Sequence, residues 1–260
     1  VKRLVVIITL ILCVGTIMLG NLHWKHKIAV QGEEVANIVE AKAEFGKEAA
    51  TNQDVSVYSS NLPESVQNKI KDAQTSGQPL QFVIYGSNAT SVEEGAWPAQ
   101  LSKQLEDTYG TNVFQVTVIS EGEKTSLDVV REKSYKQVSE LKPDIVLFEP
   151  FMLKDNGLIG VSNTLDNIEV MMDSWKSEND AVTIMIQPPN PLYSATYYPK
   201  EVKELQEYAK QNNLTYLNHW EAWPDLEDSK MNDYLTEESD ANDNGNKIWA
   251  DFLIKYFIAK

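Results

Sequence analysis

Cysteine is all but missing from these 260 residues. The single one, Cys13, admits no internal disulfide and no thiolate metal site. Leu12 precedes it where lipid attachment needs a small residue, which excludes a lipoprotein anchor. Histidine is nearly as scarce. His23, His26 and His219 give no helical metal-ligand pair, so no structural zinc site can be assembled and no cofactor is implied. Basic residues are outnumbered, 23 against 38 acidic, and the resulting net charge of −15 would repel a polyanion, which argues against nucleic-acid binding. There is no internal repeat and no low-complexity tract. What is present is a 42% hydrophobic content, enough for a real core, in a length that suits one α/β domain of about 200 residues with extra segments, or two small domains.

The amino end carries the one long apolar run. Lys2 and Arg3 precede 17 residues without a charge, Leu4 to Gly20, followed by Asn21, Leu22, His23 and Trp24. As a helix that run covers about 25 Å at ~1.5 Å per residue, a little short of a ~30 Å hydrocarbon core, and Leu22 and Trp24 can make up the difference at the interface. A cleaved signal peptide and a retained anchor are both consistent with this. The absence of a small-x-small cleavage pattern after Gly20 favours an anchor over 1–24, with the rest of the chain outside the membrane of a bacterial cell. Glu33 to Ala50 has the spacing of a stalk helix, with Val35, Ile38 and Val39 on one face, and Thr51 to Asn61 reads as a linker. The main domain is then expected over 62–260.

Within that domain, short apolar runs alternate with helical patterns. Strands are expected at Leu80 to Gly86, Asn112 to Ser120, Asp144 to Glu149, Ala181 to Gln187 and Leu214 to Leu217. Helices are expected after Leu62, then over Trp97 to Tyr109, Thr125 to Leu141, Thr164 to Glu178, Lys200 to Asn212 and Asn246 to Ile258. Such alternation implies right-handed crossovers and a three-layer α/β fold whose parallel five-stranded sheet is covered on both faces. Ligands of such sheets bind beyond the carboxyl ends of the strands. Gly86-Ser87-Asn88, in the turn after the first strand, is therefore the expected floor of a site.

Four places at strand ends resemble the blocks of the SGNH (GDSL-type) hydrolases, a family of lipases and esterases on a flavodoxin-like sheet. They are Tyr85-Gly86-Ser87-Asn88, Gly122 in Ser120-Glu121-Gly122-Glu123, Lys154-Asp155-Asn156-Gly157, and Asp240-Ala241-Asn242-Asp243-Asn244-Gly245 leading into the last helix. The resemblance covers about Leu80 to Lys260. It implies that Asn88 stands where the family has its nucleophilic serine, Asp240 where it has the histidine, Glu237 where it has the aspartate and Lys154 where it has the oxyanion asparagine. Ester hydrolysis by that route needs a hydroxyl activated by an imidazole whose tautomer a carboxylate fixes. An amide is a poor nucleophile, and a carboxylate is a weak base. The resemblance thus implies a degenerate hydrolase keeping a pocket of donors: the Gly86-Ser87-Asn88 turn, the Gly122 amide and the Lys154 ammonium.

Two alternatives stay open. A one-residue slip would make Ser87 the nucleophile, and His219, after the fifth strand, would be a substitute base or else a packing histidine beside Trp220 and Trp223. Asp155 is a site residue or a turn former. The acidic group of Glu237, Glu238, Asp240 and Asp243 holds a cation or is a solvated loop. Trp97, Trp175 and Trp249 fall in helical patterns and are expected in the core. Tyr193, Tyr197 and Tyr198 form a sugar-stacking wall or cover the sheet edge. The partner the resemblance implies is a cell-wall or envelope carbohydrate ester, either bound or, in the alternative, hydrolysed by Ser87. The oligomeric state is left open.

Overall fold

A computed structural model of the chain describes residues 57–259. The expected anchor and stalk lie outside the described residues; among those that are described, no helix is long and apolar enough to cross a membrane.

In chain order the elements are α1 (Glu64–Ser76), β1 (Leu80–Gly86), α2 (Trp97–Tyr109), β2 (Phe114–Ser120), α3 (Ser126–Glu132), α4 (Lys136–Glu140), β3 (Ile145–Glu149), α5 (Met152–Asp155), α6 (Val161–Glu178), β4 (Thr183–Ile186), α7 (Tyr198–Gln211), β5 (Thr215–Tyr216) and α8 (Asp243–Phe257). Two 3-10 segments, His219–Ala222 and Ser229–Tyr234, lie between β5 and α8. The strands form one parallel sheet in the order β2-β1-β3-β4-β5. The order reverses at β1, the switch point where such sheets place ligands.

Side chains alternate along each strand and build two cores. Phe82, Ile84, Leu147 and Met185 face α1, α2 and α8, where Trp97 and Trp249 stack with ring centres 4.8 Å apart. Val83, Tyr85, Phe148 and Ile186 face the other layer, where Trp175 of α6 meets Tyr85 and Phe148 edge-on. The three tryptophans are fully buried, as their helical spacing suggests.

Some boundaries differ from the sequence reading. The helix expected over Thr125 to Leu141 is two helices. Thr125 and Asp128 form a capping box for α3, and Lys133 takes a left-handed conformation (φ 58°) that ends it. The amide of Ser134 then reaches back to the Val129 carbonyl at 3.2 Å, the closure usually made around glycine. A lysine in that role leaves no mark in the apolar period. Residues 58–62, expected at the junction of linker and domain, pack on α8: Tyr58 accepts a hydrogen bond from the Ala259 amide at 2.7 Å and Leu62 is buried.

Candidate functional site

The turn after β1 is fastened from every side. Gly86 ends the strand with no space for a side chain: a Cβ there would lie 2.4 Å from both Glu149 Oε2 and Thr90 Oγ1. Sequence alone suggests a glycine that lets the backbone turn, whereas its φ is ordinary and what it supplies is room. Glu149, the last residue of β3, fills that room. Its Oε2 accepts hydrogen bonds from the Ser87 amide (2.8 Å), the Ser87 hydroxyl (2.9 Å) and the Thr90 hydroxyl (3.0 Å). From β2, the Ser120 hydroxyl donates to the Ser87 carbonyl at 2.8 Å, and the Gly122 carbonyl accepts from the Asn88 amide at 2.8 Å. From α2, the Trp97 indole donates to the Ala89 carbonyl at 2.8 Å.

Asn88 is thereby held at the carboxyl edge of the sheet, where its Nδ2 donates to Asp240 Oδ1 at 3.2 Å across 152 residues of sequence. Asp240 is set in turn by a tight loop. The Thr236 amide bonds the Asp240 carbonyl at 2.8 Å, Leu235 pairs with Ala241, and buried Asn190, just after β4, donates to the Ser239 carbonyl at 2.9 Å. Beside the Asn88–Asp240 contact opens a cleft of about 810 Å³ bordered by Ser91, Glu93, Asn242 and Asn246. It has carboxylates and amides along its wall and no lysine, arginine or histidine.

The other expected site residues are placed as follows. Ser87 is completely buried, and its hydroxyl is given to Glu149. His219 is also completely buried, stacked on Trp249 with ring centres 4.0 Å apart. Its Nδ1 accepts from the Trp223 indole at 3.0 Å, which leaves Nε2 to carry the proton and donate to the Pro188 carbonyl at 2.8 Å. Burial pulls its pKa down to about 3. Both ring nitrogens are occupied, so Ser87 and His219 do not form a hydroxyl–imidazole pair, and His219 is a neutral core residue. Lys154 is ion-paired to Glu123 at 2.6 Å. The Gly122 amide, expected to be free for an oxyanion, donates to Ser120 Oγ at 3.3 Å. Asp155 is buried and accepts from the Ser126 amide (2.8 Å), the Ser126 hydroxyl and the Thr164 hydroxyl (2.7 Å), tying α5 to α3 and α6. It is a structural staple rather than part of the cleft. Glu237 is exposed and borders a second cavity, which shares Thr236 with the first. Among the described residues no group of three or more histidine, cysteine, aspartate or glutamate side chains is arranged to hold a metal ion.

Glu149 is the residue of this edge that the apolar pattern does not single out. It shows there only as a carboxylate closing a wholly apolar strand, Ile145-Val146-Leu147-Phe148-Glu149. Burial pushes its pKa up to about 8, while the bonds from Ser87 and Thr90 and the nearby Lys154 charge pull the other way. Near neutral pH the protonated carboxyl is therefore favoured. Five buried side-chain polar atoms among the described residues lack a hydrogen-bond partner, and four of them belong to this edge: Asn88 Oδ1, Glu149 Oε1, Gln187 Nε2 and Asn190 Oδ1. These four atoms gather beyond β1, β3 and β4, where polar groups of a bound molecule or of water would find partners.

No family profile matches the chain, and no curated protein sequence matches it. Solved structures do. A protein of the G-D-S-L family from Desulfitobacterium hafniense DCB-2 is similar over 68% of this chain and 98% of its own, with a TM-score of 0.55 and 17% identity. This is the SGNH (GDSL-type) hydrolase fold. The acetyl xylan esterase AlAXEase shares the SGNH fold over 67% of this chain and 98% of its own (TM-score 0.53, 14% identity). A carbohydrate esterase family 3 protein from Talaromyces cellulolyticus does so over 67% and 94% (TM-score 0.55, 14% identity). On this SGNH frame the structure brings Asn88 and Asp240 together and leaves Ser87 and His219 apart.

Proposed function

We propose that this chain is a catalytically degenerate SGNH-fold protein, anchored by its amino end on the outer side of a bacterial cell membrane, that binds an acylated carbohydrate polymer of the envelope or assists its modification. The observation that carries the reading is the Asn88–Asp240 contact, an amide and a carboxylate meeting at the edge of a polar cleft. Neither group supplies an activated hydroxyl, but both bind sugar hydroxyls well. The carbohydrate esterases that share the fold support the choice of ligand class. Reaction with a fluorophosphonate probe tests the loss of hydrolysis: no covalent label is expected on the folded protein.

A second reading is favoured by one observation, the 2.9 Å bond from the Ser87 hydroxyl to a carboxyl of pKa about 8. In that reading the protein is an esterase. Ionised Glu149 takes the Ser87 proton as Ser87 Oγ bonds to the acyl carbon, the acyl carbon–sugar oxygen bond breaks with that oxygen taking the proton from Glu149, and water then hydrolyses the acyl-serine to the free acid. Full burial of Ser87 speaks against it. Labelling that disappears in both Ser87→Ala and Glu149→Gln would establish this reading over the first.

A further inference from the structure

The 235–241 segment borders two cavities. One is the cleft at Asn88 and Asp240. The other is a cavity of about 450 Å³ bordered by Leu192, Tyr193, Ala195, Leu235, Glu237 and Ser239, and Thr236 lines both. The segment is a single ribbon: Leu235 bridges Ala241 in antiparallel fashion, a pairing in which backbones lie about 5 Å apart. The Thr236 amide meets the Asp240 carbonyl, and the Ser239 amide meets the Thr236 carbonyl at 3.0 Å. The two cavities are thus neighbours on one short hydrogen-bonded loop, with Thr236 in the wall of each.

The two sides differ in chemistry. The first offers amides and carboxylates with no aromatic ring; the second offers Tyr193, 41% exposed, with aliphatic side chains under a polar rim. The backbone beside Tyr193 is tied down. Ser194, next to it, bonds the Leu226 carbonyl through its amide at 2.8 Å and Glu227 through its hydroxyl at 3.3 Å, and Asn190 is tied to the 235–241 loop itself. A ring held out on a fixed loop over a concave surface is a stacking platform that loses little entropy on binding.

Building on the proposed function, we infer that the site takes a neutral sugar chain of at least two units, one bound by hydroxyls at Asn88 and Asp240 and the next stacked on Tyr193 in the neighbouring cavity. Successive sugar rings present hydroxyl-rich edges and apolar faces, the pairing these two cavities supply. The absence of any cation in the first cavity, against Glu93, Asp240 and Asp243, selects against phosphodiester or uronate chains.

Calorimetric titration of the full chain in detergent with N-acetylglucosamine oligomers and O-acetylated xylo-oligosaccharides, each of one to six units, tests this, with oligogalacturonates as the anionic control. Affinity is expected to rise from one unit to two or three and then level off. Tyr193→Ala should remove about a five- to tenfold share of that rise without changing monomer affinity, and Tyr193→Trp should restore it. Asp240→Ala should weaken every length alike. Equal affinity at all lengths, or no effect of Tyr193→Ala, overturns the two-cavity inference and leaves the proposed function standing. Preference for the oligogalacturonates overturns the neutral-chain assignment. No saturable binding of any neutral oligomer overturns the inference together with the proposed function.

Discussion

Glu149 concentrates the physical chemistry of the site in one side chain. Its carboxyl ionises near pH 4.5 in an unfolded chain and at about 8 in the folded one, so between those values the folded state binds more protons and stability falls as pH rises. The loss is complete above pH 8 and amounts to about 3–5 kcal/mol. Glu149→Gln keeps an oxygen for the three donors from Ser87 and Thr90 and cannot ionise. Thermal melts from pH 5 to 9 should therefore show the wild type losing more stability than the variant across pH 5–8, with the variant the more stable at pH 8; parallel curves would mean that Glu149 is ionised throughout. Gly86 is the complementary case. Because Gly86→Ala places a methyl group 2.4 Å from Glu149 Oε2 and 2.8 Å from the Glu149 carbonyl, β1 and β3 must separate. A cost of about 1–3 kcal/mol follows from such overpacking, read as a melting point roughly 2–12 °C lower.

Among the elements, α8 does the most to place the cleft. Asn242 caps it by accepting from the amides of Asn244 (2.9 Å) and Gly245 (3.2 Å), and Gly245 sits against the Tyr234 carbonyl with no room for a Cβ. One turn in, Asn246 accepts from the Trp97 amide at 2.9 Å, which satisfies the first residue of α2, and donates to the Ala241 carbonyl at 2.9 Å. The two helices that carry the stacked tryptophans are thus joined through a side chain at the cleft wall. Asn246→Ala leaves the Trp97 amide without a partner at a helix start, and about 1–3 kcal/mol should be lost, a melting point lower by roughly 2–12 °C in calorimetry. An unchanged melting point would show that solvent from the cleft replaces the amide. The helix itself is legible in the sequence from its apolar period, although that period starts it at Asn246 and the structure starts it at Asp243; the role of Asn246 is not, because an asparagine there reads as surface.

At the scale of the whole molecule, the sheet and its two covering layers follow from five apolar runs alternating with helical periods, and the register then sends Phe82 and Ile84 to one core and Val83 and Tyr85 to the other. What pattern could not reach was the use of individual polar groups. Asp155 and the Gly122 amide sit where the resemblance expects site groups and are consumed by packing; His219 belongs to a stack with Trp249 that no local period announces. The Asn88–Asp240 contact does join the two positions the resemblance aligns with a serine and a histidine, and it supplies a test of the fold as a whole. In Asn88→Ser with Asp240→His, two side chains already within hydrogen-bond distance become a nucleophile and its base. General-base assistance of this kind is worth about 10²–10⁴-fold, so hydrolysis of p-nitrophenyl acetate should rise at least tenfold over the wild type. It should remain about 10⁴-fold below a complete triad, because Glu237 faces the second cavity and leaves the new imidazole without a carboxylate to fix its tautomer. Initial rates on the double variant and on each single variant measure this directly. A folded double variant no faster than either single one would mean that the two loops do not hold these side chains in reacting geometry, and the alignment of Asn88 and Asp240 with the family's serine and histidine would have to be abandoned.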